Sequence, residues 1–194
     1  MLKINIFVRL RSDGVSPDDF NIENLSQQIK ENGLAHYIRE GSYPLSINVN
    51  GINLLGDVAC YPFNENLKAL NNLFYNVIKL PDNADNKINF MAGLGAPENY
   101  LYAVKKNNKL LLFGRKGVGF VVDFSEWLDL EQAVEEMLRV IKDYKDTCMQ
   151  VAEKILPDDT ENFLKMIFKE PTWNHDPWFP LEEVWTECKQ KNAE

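Results

Sequence analysis

The sequence predicts an α+β fold: a mainly antiparallel sheet of about six or seven strands, two helices in the N-terminal half, one long C-terminal helix and an aromatic-rich tail. Three observations carry this expectation. Residues 87–124 hold four strand-like runs, KINFMA, NYLYAV, KLLLF and VGFVVDF, in the sequential order of an antiparallel meander. Asn50-Gly51 separates two short alternating runs in SINVNGINLL, and this dipeptide accepts the positive φ angles of a tight hairpin turn. After Phe124 the apolar period lengthens from two residues to that of a helix. The predicted organisation is one domain over residues 1–170, with residues 171–194 as a tail packed on it.

Taken in order, LKINIFVRL alternates, with Leu2, Ile4, Ile6, Val8 and Leu10 on one face, and reads as a strand with that face against the core. Ser16-Pro17-Asp18-Asp19 has the chemistry of a helix start: a capping hydroxyl, a proline whose missing N–H is harmless, and acids at the positive dipole end. Ile22, Leu25 and Ile29 continue that helix to a stop at Gly33. A second helix is expected from about Asn64 to Leu80, its stripe formed by Leu67, Leu70, Phe74, Val77 and Ile78, with Pro81 beyond it. The strands of the meander follow, the middle pair joined across Lys105-Lys106-Asn107-Asn108.

Asp129, with Gln132 three residues on, forms a capping-box pattern. Beyond it Leu130, Val134, Met137, Leu138, Ile141, Cys148, Val151, Ala152 and Ile155 share one side of a helix that Pro157 terminates. A short helix is expected over 159–169, carrying Phe163, Leu164, Ile167 and Phe168. The tail, PTWNHDPWFPLEEVW, contains three of the four tryptophans, and its prolines exclude a continuous helix before Pro180. Leu181, Val184 and Trp185 then fit a short terminal helix.

Composition narrows the functional classes. No apolar run reaches the ~18 residues of a membrane span, and the opening residues are too polar and alternating for a secretory signal, so a cytoplasmic location is expected. Cys60, Cys148 and Cys188 are far apart and odd in number, which favours reduced thiols over a disulfide framework. Charge is unevenly distributed: residues 1–125 carry 13 Lys/Arg against 12 Asp/Glu, and residues 126–194 carry 8 against 17. Such acidity argues against nucleic acid or an anionic membrane as partner and favours a basic protein.

Four patterns in the sequence bear on chemical sites. GRKGVGF, residues 114–120, lacks the terminal Lys-Ser/Thr of a nucleotide loop and leads into a strand, so a hairpin turn or bulge accounts for it better than an anion site. His36 and His175 have no neighbouring ligand pair, and neither a metal nor another cofactor is implied. Cys60 and His175 form an alternative nucleophile–base pair, although a thiol beside Val58, Ala59 and Tyr61 is more simply a small buried hydrophobe. Glu135-Glu136 and Asp158-Asp159 suit solvated helix surfaces and starts better than acid–base catalysis.

The outer side of the long helix carries Glu131, Glu135, Asp143, Asp146 and Glu153, relieved by Arg139, Lys142, Lys145 and Lys154. Such a flank serves either as plain solvated surface or as a docking face for a basic protein. Trp173 and Trp178 are either a structural clasp or exposed anchors for that partner. In the clasp reading, His175 and Asp176 tie the turn. The functional expectation is a non-enzymatic protein-binding module, most concretely an immunity or antitoxin-type inhibitor of a basic toxin such as a nuclease. The alternative is a hydrolase assembled from scattered Cys, His and carboxylate residues.

Overall fold

The computed structural model describes residues 1–6, 22–23, 25–27, 29–31, 33, 43–54, 58–60, 63–81, 92–93, 100–116, 121–124, 126–168 and 177–193. The fold is α+β. Strands β1 (Leu2–Ile6), β2 (Tyr43–Val49), β3 (Ile52–Asn53) and β4 (Val58–Cys60) precede helix α1 (Phe63–Ile78). Then come β5 (Ala92–Gly93), β6 (Tyr100–Lys106), β7 (Lys109–Lys116), β8 (Val121–Phe124) and β9 (Leu128–Asp129). Three helices follow: α2 (Leu130–Ile155), α3 (Thr160–Phe168) and α4 (Leu181–Ala193). Helical residues also occur within 22–33, and Gly33 has φ of 76°, the left-handed conformation common at a helix end.

The single sheet expected from the sequence is replaced by two antiparallel sheets. In the first, β2 is central; β1 pairs along one side, while β3 and β4 share the other in tandem. In the second, β5, β6 and β7 run side by side, and β8 and β9 together occupy the far side of β7. Short tandem pieces leave little continuous edge for another strand. Side chains also close the edge of β1: the Ile4 N–H donates to Glu136 Oε1 at 2.9 Å, and Arg139 Nη2 donates to the Ile4 carbonyl at 3.1 Å. Two side chains from α2 thereby take the place of a neighbouring strand.

Local turn chemistry explains the hairpins. Asn50 and Gly51 have φ of 49° and 87°, and Asn107 and Asn108 have φ of 47° and 60°, as tight hairpins require. Gly114 and Arg115 of β7 pair with both β6 and β8, and Lys116 pairs with β8 alone, so the glycine-rich stretch begins as strand; residues 117–120 lie outside the described residues. The start of α2 is capped as expected: Asp129 Oδ1 accepts from the Gln132 N–H at 3.1 Å. Its end is at Ile155, where the Leu156 N–H still reaches the Ala152 carbonyl at 2.8 Å.

Helix α2 unites the fold by packing against β1, β7 and β9, and against α1, α3 and α4. Its inner side buries Leu130, Val134, Met137, Ile141, Cys148 and Val151, and each large aliphatic group contributes about 1.5–3 kcal/mol by leaving water. Helix α1 is enclosed more completely. Besides Leu67, Leu70, Phe74 and Val77, it buries Asn66, Lys68, Asn71 and Asn72, so the side opposite its apolar stripe is covered as well. Among the described residues, no helix is long and apolar enough to cross a membrane.

Candidate interaction surfaces

The cover over α1 is the C-terminal segment. Pro177 to Pro180 lies outside regular secondary structure, so its peptide groups need partners from elsewhere. Two adjacent asparagines supply them. Asn72 Nδ2 donates to the Pro177 carbonyl and Asn72 Oδ1 accepts from the Phe179 N–H, both at 3.0 Å. Asn71 Nδ2 donates to the Phe179 carbonyl and to Asn72 Oδ1, again at 3.0 Å. The pair therefore reads two residues of backbone as a neighbouring strand would.

Aromatic packing reinforces this arrangement. Phe179 lies 4.8 Å from the ring of Tyr75, and Trp178 meets Phe168 edge-on at 5.7 Å, with Phe168 in turn 5.8 Å from buried Tyr144. Leu181 is buried, and Trp178, Val184 and Trp185 pack half-buried against the core. Trp178 is thus held by its own chain. Trp173, His175 and Asp176 lie outside the described residues, as does His36; Ser16 to Asp19 and Val8 to Leu10 do too. For Cys60 the structure places the backbone in β4, opposite Tyr43. Neither Cys148, which is buried, nor Cys188 is joined in a disulfide.

Carboxylates on α2 fall into three environments. Glu136 is half-buried at the β1 edge, where Arg139 Nε and Nη2 each donate to it at 2.8 Å. Burial pushes its carboxyl up, but hydrogen bonds from Arg139 and the Ile4 N–H, with the charges of Arg139 and Lys3, outweigh that cost and hold it below the ordinary range. The hydrogen bond to Glu136 raises the Arg139 guanidinium against the opposing effect of burial. Asp143 completes this cluster, 2.6 Å from Arg139 Nη1.

Glu131 and Glu135 converge on Lys189 of α4, at 3.2 and 2.5 Å. Their hydrogen bonds, Glu135 first, raise the Lys189 ammonium. Lys189 Nζ also lies 5.4 Å from the Trp185 ring centre, within cation–π range. The acidic start of α2 is therefore partly neutralised by the terminal helix. Lys145 is engaged in a similar way, 5.9 Å over Phe168.

Asp146 and Glu153 are different. Both are exposed, and among the described residues neither has a cation within ion-pair distance. Between them Met149 is 41% exposed. Spacings of three and four residues place Asp146, Met149 and Glu153 along one face of the helix. Among the described residues, no group of three or more His, Cys, Asp or Glu side chains is arranged to hold a metal ion.

Comparison with protein-family models, curated proteins and solved structures returns no match. The sequence pattern singles out all five outer acids of α2 but does not separate them. It also leaves unmarked Asn71, Asn72, Lys189, Met149 and an exposed Glu126-Trp127 pair. Asparagines in mid-helix, poor helix formers, were the available signal for the clamp.

Proposed function

We propose that this chain is a non-enzymatic binding module for a basic protein, most concretely an immunity or antitoxin-type inhibitor that occupies a basic toxin such as a nuclease. The single observation that supports this reading is the Asp146–Met149–Glu153 row: an exposed apolar group between two carboxylates on the outer face of a helix whose inner face is core. A rigid backing keeps such a surface preorganised, and preorganisation lowers the entropy lost on docking. These carboxylates, which have no ion-pair partner among the described residues, would accelerate encounter with a cationic surface and disfavour anionic competitors. Met149 supplies adaptable apolar contact at the centre.

The test is capture from the native host at low and moderate salt, using the wild-type chain and an Asp146→Lys/Glu153→Lys double variant. A basic protein retained at low salt, released by moderate salt and lost from the double variant is the expected result. If no protein is retained at low salt, or if the variant retains it equally, the helix-flank reading fails.

A further inference from the structure

Among the described residues, four large hydrophobic side chains are exposed: Met1, Ile52, Trp127 and Met149. Three of them belong to chain segments that meet at Asn50. Its Nδ2 donates to Glu126 Oε2 at 2.8 Å, and its Oδ1 accepts from the Met1 amino group. Ile52 follows the Asn50-Gly51 turn, and Trp127 follows Glu126. The corner is built on fixed backbone. The turn has two positive φ angles, while Leu128, next to Trp127, is buried and paired with Leu110 in the second sheet. Trp127 nevertheless keeps 48% of its surface in water and Ile52 keeps 47%.

An exposed indole that follows a carboxylate directly in the chain offers an arginine two kinds of contact. A guanidinium stacks on the ring face and donates in-plane to a carboxylate. One Glu126 oxygen accepts from Asn50; the same carboxylate has acceptor capacity beyond that bond. The Met1 ammonium is bound by Asn50 Oδ1, and among the described residues neither it nor any lysine or arginine lies within ion-pair distance of Glu126. The three exposed groups cover far less than the ~800 Å² per partner of a standard interface, so they fit an anchor point within a larger contact better than a self-sufficient dimer face.

We propose that this corner receives an arginine side chain from a basic protein partner, with the guanidinium stacked on Trp127 and hydrogen-bonded to Glu126, and the aliphatic stem against Ile52. The inference rests on the reading that the partner is basic, but it uses a different surface. Residue 127 and residue 149 are separated by most of the length of α2, about 30 Å at 1.5 Å per residue.

The test uses the capped peptide acetyl-Arg-Leu-Arg-Leu-amide as probe, titrated into the full chain at low salt and followed by ¹⁵N NMR. The expected result is a saturable shift of the Trp127 indole N–H, weakened at least fivefold by Glu126→Gln, which retains an acceptor for Asn50. The citrulline peptide should give no saturable shift at that indole. If Trp127 stays still while residues 146–153 shift, the corner assignment is overturned and the basic-partner reading survives. If Glu126→Gln or citrulline leaves the titration unchanged, the arginine assignment is overturned. Absence of saturable shifts anywhere overturns it too and counts against the basic-partner reading as well.

Discussion

Replacing Asn72 with alanine removes both ends of the amide that grips the C-terminal segment. The Pro177 carbonyl loses its donor and the Phe179 N–H loses its acceptor, each at 3.0 Å, while Asn71 loses the acceptor for one of its bonds. Asn72 is 3% exposed, so water replaces these partners only where the segment lifts. Each net bond contributes about 1 kcal/mol, and each stranded buried group costs about 1–3 kcal/mol. The total comes to about 2–4 kcal/mol, below the ~5–15 kcal/mol stability of an ordinary domain. The variant should therefore fold, with its tail loosened. Amide hydrogen exchange at Phe179 should accelerate roughly 30- to 1,000-fold, at a factor of ten per ~1.4 kcal/mol, and urea unfolding should show the matching loss. Asn72→Asp is the informative companion: it keeps the acceptor but sets a carboxylate against the Pro177 carbonyl. Its folded-state pKa should be raised, so the variant is least impaired below ~pH 4 and loses stability as pH rises. Unchanged exchange at Phe179 in Asn72→Ala, with a stability loss under about 0.5 kcal/mol, would refute the clamp.

Other consequences are equally direct. Glu136→Gln should lower stability at pH 7, because a carboxyl held below its ordinary range stabilises the fold above its unfolded pKa. That difference should shrink as pH falls through the carboxylate range, and a pH series of urea midpoints reads it. Gly51→Ala forces a side chain into φ of 87° and should cost about 1 kcal/mol in chemical unfolding, with the m-value retained. Lys189→Ala should leave the fold intact while freeing Glu131 and Glu135. If the helix flank docks a basic protein, the variant should bind it more tightly at low salt, and the gain should fade as salt is added.

Features set by neighbouring residues were legible in the sequence. Asn50-Gly51, the Asp129 cap, the Pro157 stop and the apolar stripe of α2 depend on chemistry within a few positions, and each appears where the spacing puts it. Sheet division was not legible, because alternation identifies a strand and its faces but carries no record of which strand pairs with which. The β1 edge is closed by Glu136 and Arg139, more than 130 positions away. Nor could the outer acids of α2 be sorted by counting charges. Lys189, on the last helix, engages Glu131 and Glu135, whereas Asp146 and Glu153 lie beyond its reach. The Asn71-Asn72 pair broke a local rule of helix composition, and that break marked a nonlocal bond.

Fold and proposed recognition separate along the same line: Trp178 is held by its own chain, and Glu126-Trp127 and the 146–153 face are the proposed recognition surfaces. The most direct measurement is a ¹⁵N NMR map of the chain with the basic protein captured at low salt. Changes are expected to concentrate at residues 126–127 and 146–153, with the Trp178 indole unmoved. Changes centred on Trp178 and the clamp asparagines, with 126–127 and 146–153 silent, would contradict this separation.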